Sequence, residues 1–294
     1  MSVEQRDPRF AGLLAPGVQC ETIAQGFMFT EGPVWQSGDQ SLLFTDIPAS
    51  RIHRWSADAG VSIYREPSHM ANGLAIDRQG RLIACEHATS RLTRTEPDGR
   101  VVVLASHYGE KELNSPNDVV VKSDGSIYFT DPSYGRNTYY GVEREPALGF
   151  RGVYRVDATG KLLTLLADDF LQPNGLCFAA DESRLYVNDT ERGHIRRFDV
   201  KPDGTLDGGH VWAQLTGEGQ GAPDGMKIDS QGHLFCTGPG GIHVFDHEAR
   251  CLGVIHVPEG AANFTWGDAD LCSLFITATN GLYRIRVKVP GRAG

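Results

Sequence analysis

The sequence predicts an all-β protein, a six-bladed β-propeller whose ring is closed by an N-terminal strand completing the last blade. Three observations predict it. One unit of short apolar runs recurs six times. Turn pairs built on Gly, Asp, Asn, Ser and Gln punctuate the runs. The last unit stops after three strands, near Val289, while a spare strand-like segment precedes the first. Four antiparallel strands per unit, repeated radially at a period of about 40–50 residues, are a propeller signature.

The units begin with an oxygen-bearing side chain, usually followed by Gly. The starts are Glu31-Gly32, Asn72-Gly73, Asn117-Asp118, Asn174-Gly175, Asp224-Gly225 and Asn263-Phe264. A short apolar run follows, as in Val119-Val120-Val121, then a turn such as Asp124-Gly125. A second apolar run comes next, for example Leu42-Leu43-Phe44 or Ile127-Tyr128-Phe129. In the first four units it ends in an acid: Asp46, Glu86, Asp131 or Asp189. Third strands such as Ile52-His53-Arg54-Trp55 follow, and a fourth run, such as Val101-Val102-Val103-Leu104, closes most units. The segment near 18–24 is expected to supply the fourth strand of the last blade, leaving no open edge in the ring. Residues 1–294 are thus read as a single propeller domain; a pair of β-sandwiches is the structural alternative.

Composition narrows the partners. The chain has 294 residues, a formal net charge of -9 and no basic run, which argues against nucleic acid or an anionic membrane surface. No stretch reaches the roughly 20 apolar residues of a membrane span. Met1 to Pro16 lacks a cationic start followed by an apolar core, so no secretory signal is expected and the cytoplasm is the expected compartment. The six Cys show no Cys-x-x-Cys spacing and are expected as free thiols, with a disulfide or Zn site as the alternative.

In a propeller the first strand of each blade lines the central channel, so its first residue falls at one end of that channel. Glu31, Asn72, Asn117, Asn174, Asp224 and Asn263 then form a ring in which every member offers an oxygen. The second strand runs back to the same mouth, placing Asp46, Glu86, Asp131 and Asp189 in an outer ring. Crowded carboxylates repel and lose hydration, and a bound cation relieves both costs. All-oxygen donors match one hard divalent cation, best Ca²⁺, with Mg²⁺ or Mn²⁺ as alternatives and Zn²⁺ disfavoured as a structural ion by the lack of Cys and His. Taken singly, each Asn-Gly or Asp-Gly pair is a common turn dipeptide. Six in equivalent positions, with Glu31 among them, point to a site. Long segments at this end, Ser106 to Ser115 and Tyr134 to Phe150, carry Lys111, Tyr134 and Arg136 and are candidate binding loops; tolerated surface insertions are the alternative.

At this point the chain resembles the gluconolactonase and regucalcin family of calcium-dependent six-bladed propellers, the bacterial gluconolactonases in particular. The resemblance rests on Phe29-Thr30-Glu31-Gly32-Pro33-Val34-Trp35, Leu113-Asn114-Ser115-Pro116-Asn117-Asp118-Val119-Val120, Phe129-Thr130-Asp131-Pro132-Ser133-Tyr134-Gly135, Gln172-Pro173-Asn174-Gly175-Leu176 and Pro223-Asp224-Gly225-Met226-Lys227. It implies that Glu31, Asn174 and Asp224 are metal ligands, that Asn117 is a ligand or a substrate contact, and that Asp224 is the general base. It also implies a sugar lactone as substrate. Where the regucalcin branch carries a sugar-contacting Arg, this chain has Ser115, so Lys111 or Arg136 is expected to supply a cation instead. Ser115 itself, Asn72 and Tyr134 complete the expected substrate contacts.

The mechanism expected from these residues is metal-assisted hydrolysis, the cation polarising the carbonyl and activating water, with Asp224 taking the proton. A ligating carboxylate is a weak base, so Asp131 or Glu86 is an alternative. His69 and His87 lie near the mouth and offer another base, although isolated His are more often structural. No Gly-x-Ser-x-Gly elbow is present. An organophosphate- or ester-hydrolysing calcium propeller and a non-enzymatic calcium-binding scaffold are the rival readings. Oligomeric state is not read from the sequence.

Overall fold

The computed structural model describes residues 3–292. Six sheets are arranged as the blades of a β-propeller, and the helical content among the described residues is two short 3-10 turns, Pro8–Gly12 and Tyr134–Arg136. Blades one to four each use four consecutive strands, beginning with Thr30–Gln36, Ala71–Ile76, Val119–Val121 and Pro173–Phe178. Blade five begins with Met226–Ile228 and blade six with Ala261–Gly267.

Blade six is completed by Glu21–Gln25, which pairs antiparallel with Gly281–Arg286, matching Glu21 to Arg284 and Gln25 to Gly281. The ring is therefore closed by the N-terminal strand, as expected. One element was not expected. Val3–Gln5 adds a fifth strand to blade five, pairing Val3 with Ile255 and Gln5 with Gly253. Its Val-Glu-Gln sequence carries no strand signal, because an edge strand needs only backbone pairing and has little to bury.

The second strands read as continuous apolar runs because both of their faces are covered. Successive side chains point to opposite faces. Leu42 and Phe44 therefore pack with Phe275 and Leu282 of blade six, while Leu43 packs with Leu74 and Leu82 of blade two. The same alternation repeats around the molecule, so that six apolar clusters fill the six clefts between blades. Fully burying one such Leu or Phe contributes about 1.5–3 kcal/mol. All six cysteines are free. No helix among the described residues is long and apolar enough to cross a membrane.

Candidate active site

The Gly that follows four of the unit-start residues has a structural cause beyond turn formation. Neighbouring blades meet so closely at the axis that a Cβ on Gly32 would lie 2.0 Å from the Asn72 carbonyl oxygen. One on Gly175 would lie 2.0 Å from the Asp224 carbonyl oxygen, and Gly73 and Gly225 approach the starts of blades three and six in the same way. Each of these unit starts thus rests on the next, and the backbone is stitched across blades by Gly73 N–H to Asn117 O (2.8 Å) and Gly225 N–H to Ala262 O (2.7 Å).

Behind this contact line stand the acids that end the second strands. Asp46 accepts from the N–H groups of Met28 and Phe29, both at 3.1 Å. Asp131 accepts from Asn114 N–H (2.8 Å) and Ser115 N–H (2.7 Å). Asp189 accepts from Leu171 N–H (2.9 Å) and Gln172 N–H (3.1 Å). In each case the two amides lie three and two residues before the unit start, Glu31, Asn117 or Asn174. Charge-assisted bonds of this kind are about twice as strong as neutral ones, so each acid fixes the chain that delivers a start residue to the axis. Blade five uses a hydroxyl in place of the acid: Asp224 N–H donates to Thr237 Oγ1 at 3.0 Å. Glu86 departs from the pattern and binds the hydroxyls of Thr89 (2.6 Å) and Thr93 (3.0 Å).

The start residues themselves differ in what they leave free. Glu31 is buried, accepts the Asn263 amide at 3.0 Å and the Gly32 N–H through the same oxygen, and feels Lys227 at longer range. Asn263 also accepts Phe264 N–H (2.8 Å), so its amide is engaged at both ends in holding Glu31. Asn174 donates to Thr190 Oγ1 at 3.1 Å; that hydroxyl gives its own proton to Pro223 O (2.6 Å) and so must accept. The Asn174 Oδ1 atom is left buried and without a partner, as is Asn72 Oδ1. The Asn117 side chain makes no hydrogen bond among the described residues.

Electrostatics follow from this crowding. Burial holds the Glu31 carboxyl above the ordinary carboxylate range, and the Asp118 carboxylate adds to it. Burial, then Glu31, then Asp118 push Asp224 well up, eased by the Asn174 amide. Asp118 is raised by burial and eased by Lys227. Two buried, raised carboxyls beside an amide oxygen that lacks a donor are a fit for a hard cation and a poor fit for a soft one. Among the described residues no three His, Cys, Asp or Glu side chains gather as a metal site; the candidate ligands are instead two carboxylates and two amides.

The segment between the second and third strands of blade three, residues 132–150, crosses the mouth. Tyr139 Oη donates to Met28 O at 3.2 Å, and the Tyr140 ring meets Phe29 edge-on at 5.1 Å, both on the approach to blade one. Arg144 Nη2 donates to Ser90 Oγ at 2.6 Å on blade two. Gly135 sits so close that a Cβ would lie 2.6 Å from Ser115 Cβ and 2.7 Å from His87 Cβ. Burial raises the Tyr134 and Tyr140 phenols, and Asp224 contributes to both shifts, which places both rings in electrostatic range of that carboxylate.

Residues 29–280 match the family described as SMP-30/Gluconolactonase/LRE-like region. The chain belongs to this family. A gluconolactonase of Zymomonas mobilis is 33% identical over 307 residues, covering 97% of this chain and 85% of that protein. A pentonolactonase of Haloferax volcanii is 28% identical, covering 85% of this chain and 81% of its own. A solved structure described as a Xanthomonas campestris gluconolactonase superposes with a TM-score of 0.90 at 33% identity, covering 98% of this chain and 95% of that one.

Against this family background several sequence expectations need correcting. Ser115, expected at the substrate, is buried and its hydroxyl is saturated: it donates to Pro132 O (2.6 Å) and accepts from Gly135 N–H (3.0 Å). Arg136 is likewise buried, with its guanidinium on the carbonyls of Leu113, Asn114 (2.7 Å) and Glu145 (3.3 Å) and on the Glu112 carboxylate (2.9 Å). It braces the loop from inside. Lys111 is exposed on a two-strand hairpin, His107–Tyr108 with Lys111–Glu112. The outer acids are occupied by the hydrogen bonds described, which removes Asp131 and Glu86 as bases. His69 is exposed and His87 is buried with both ring nitrogens engaged, so neither is placed as a base. Asn263, expected as a ring member, holds Glu31; Thr190 and Asp118 were missed as neighbours of the site, and for Asp118 the signal was its place beside the unit start Asn117.

Proposed function

We propose that this protein is a lactonase that adds water across the ester bond of a small sugar lactone, releasing the open hydroxy acid. The observation that supports the reading is the crowding of the Glu31 and Asp224 carboxyls, both raised by burial, with the unpartnered Asn174 Oδ1 beside Asp224, beneath a loop bearing Tyr134 and Tyr140. The lactonases named above as relatives support the substrate class.

Glu31, Asn174 and Asp224, with Asn117, would hold one divalent cation, best Ca²⁺ for an all-oxygen set. When bound, such a cation supplies Lewis-acid polarisation of the lactone carbonyl and compensates the negative charge that develops on its oxygen. The protein's own groups do the rest. Asp224 carries no backbone N–H on its carboxylate, unlike Glu31, and so keeps a lone pair to take the proton of the attacking water. Water oxygen bonds to the carbonyl carbon, the ring C–O bond breaks, and the departing oxygen takes up a proton. Asn263 holds Glu31 in place, Thr190 orients Asn174, and the 132–150 loop limits water at the mouth. Asn117 and Asn72 are the side chains proposed to meet the substrate hydroxyls.

The test is a panel of sugar lactones assayed by acid release, before and after removal of divalent ions, with Ca²⁺, Mg²⁺, Mn²⁺ and Zn²⁺ returned singly. Lactone turnover that disappears on chelation and returns best with Ca²⁺ is expected. Asp224→Asn and Glu31→Gln are each expected to lose about 10²-fold or more in kcat, the scale of a removed base or electrostatic group. Full activity after complete chelation, or no turnover of any lactone, overturns the proposal.

A further inference from the structure

His87 is a histidine that the proposed mechanism leaves unused, and its surroundings fix its proton. It lies 1% exposed between the ring residue Asn72 and the loop that crosses the mouth. Its Nδ1 is 2.9 Å from the carbonyl oxygen of Tyr140, a group that can only accept. That nitrogen therefore carries the hydrogen. Its Nε2 is 3.3 Å from Asn72 Nδ2. Burial lowers the imidazole to about 4, with the Tyr140 carbonyl opposing and Arg144 adding, so the ring is neutral and Nε2 offers a lone pair. Only the amide nitrogen of Asn72 can answer a lone pair. The amide is thereby turned with its nitrogen toward His87, and its oxygen is the atom left over. That oxygen is buried and has no partner in the protein.

The same device appears two blades on. There Thr190 gives its proton to Pro223 O, accepts from Asn174, and leaves Asn174 Oδ1 unpartnered. Two start residues are thus held as acceptors by neighbours whose own hydrogen bonds leave them no choice. An unpartnered buried carbonyl costs about 1–3 kcal/mol, a cost a native site carries when a ligand relieves it.

We propose that His87 is a positioning residue that presents the Asn72 side-chain oxygen as an acceptor for a hydroxyl of the lactone, with the Tyr140 carbonyl selecting the tautomer. This rests on the lactonase reading above, in which the ligand reaching Asn72 is a hydroxylated ring. It sets a specificity: a lactone with a hydroxyl at that point satisfies the oxygen, and one without it strands the oxygen. Sites built to bond a hydroxyl discriminate strongly against analogues that lack it.

The test uses the full-length, Ca²⁺-loaded protein with two probes, D-glucono-1,5-lactone and the hydroxyl-free δ-valerolactone, and reads the ratio of their kcat/KM values. In Asn72→Ala and in His87→Leu this ratio is expected to fall about tenfold or more, mainly through KM for the sugar lactone, the scale of one lost hydrogen bond to a buried group. His87→Gln, whose amide supplies one donor and one acceptor at a similar separation, is expected to restore the ratio to within about threefold of wild type. A poorly folded fraction lowers both substrates together and leaves the ratio unmoved, so the ratio isolates the contact from stability. An unchanged ratio in both Asn72→Ala and His87→Leu overturns the proposal, and so does a His87→Gln ratio as low as that of His87→Leu. Ca²⁺ titration by calorimetry gives the second readout: more than about a tenfold loss of affinity in Asn72→Ala makes Asn72 a cation ligand and likewise overturns it. If the wild type turns over neither probe, the lactonase reading itself has failed, an outcome distinct from a wild type active on both whose ratio no variant changes.

Discussion

At the scale of single residues, the mouth is governed by which hydrogen-bond groups are already occupied. Ser115 and Arg136 look like ligand-binding residues in sequence because one is a small hydroxyl in a motif and the other a cation in a long loop. Their partners, Pro132, Gly135, Leu113, Asn114 and Glu145, lie on chain segments whose mutual approach no local pattern announces. His87 is the complementary case, and its burial has a thermodynamic signature. With a folded value near 4 against an unfolded value near 6.5, the unfolded chain binds a proton more readily. The stability associated with neutral His87 is complete above about pH 6.5 and is lost as pH falls toward 4. Denaturant unfolding at pH 7 and pH 5 is expected to show His87→Gln losing about 2 kcal/mol less than wild type over that interval. Equal losses in the two proteins would show that the imidazole is not the group being titrated.

At the scale of the strand and its loop, the acid ending each of second strands one, three and four acts as a clamp on the chain two and three residues ahead of a start residue. The position of these acids was legible in the sequence, since Asp46, Asp131 and Asp189 recur at one point of the repeat. Their purpose was not, because nothing in the sequence shows that their oxygens turn to backbone N–H groups and away from the mouth. Asp189→Asn tests the clamp. The variant keeps the shape but loses the charge that holds Leu171, Gln172 and Arg192. A destabilisation of about 1.5–3 kcal/mol is expected in urea unfolding, as for a hydrogen bond to a charged group. Lactone kcat/KM is expected to fall beyond the loss of folded protein, because Asn174 is delivered by those amides. A stability loss with unaltered kcat/KM per folded molecule would make the acid purely structural. The Gly after four of the starts was also misread in part: a turn preference and a close approach leave the same letter, and only clashes as short as 2.0 Å separate them.

At the scale of the whole molecule, the propeller was legible because its physics repeats: period-two burial, Gly-containing turns and six equivalent starts. The expectation of a ring of oxygens rests on that symmetry. The loop crossing the mouth obeys no repeat: its length marked it at that end, but its contacts to blades one and two left no pattern in the sequence. The N-terminal region divides into parts of unequal weight. Val3–Gln5 is a largely solvent-facing edge strand, whereas Phe10, Leu13 and Leu14 are core and Glu21–Gln25 completes blade six. Removing residues 1–5 is expected to lower the melting temperature by a few degrees, the effect of about 1 kcal/mol in a chain of this size. Removing residues 1–26 is expected to abolish cooperative melting, read by circular dichroism. A cooperative transition in the longer deletion would show that blade six stands on three strands.

The seam at blade six also sets an order of events during synthesis. Glu21 is paired with Arg284, 263 positions later, and Asn263, which steadies Glu31, follows it by 232. On the ribosome the strand Glu21–Gln25 must wait for Gly281–Arg286 to emerge. A nascent chain halted after blade four would hold finished sheets, yet its Glu31 would lean on the Gly32 N–H alone, the Asn263 amide still unmade.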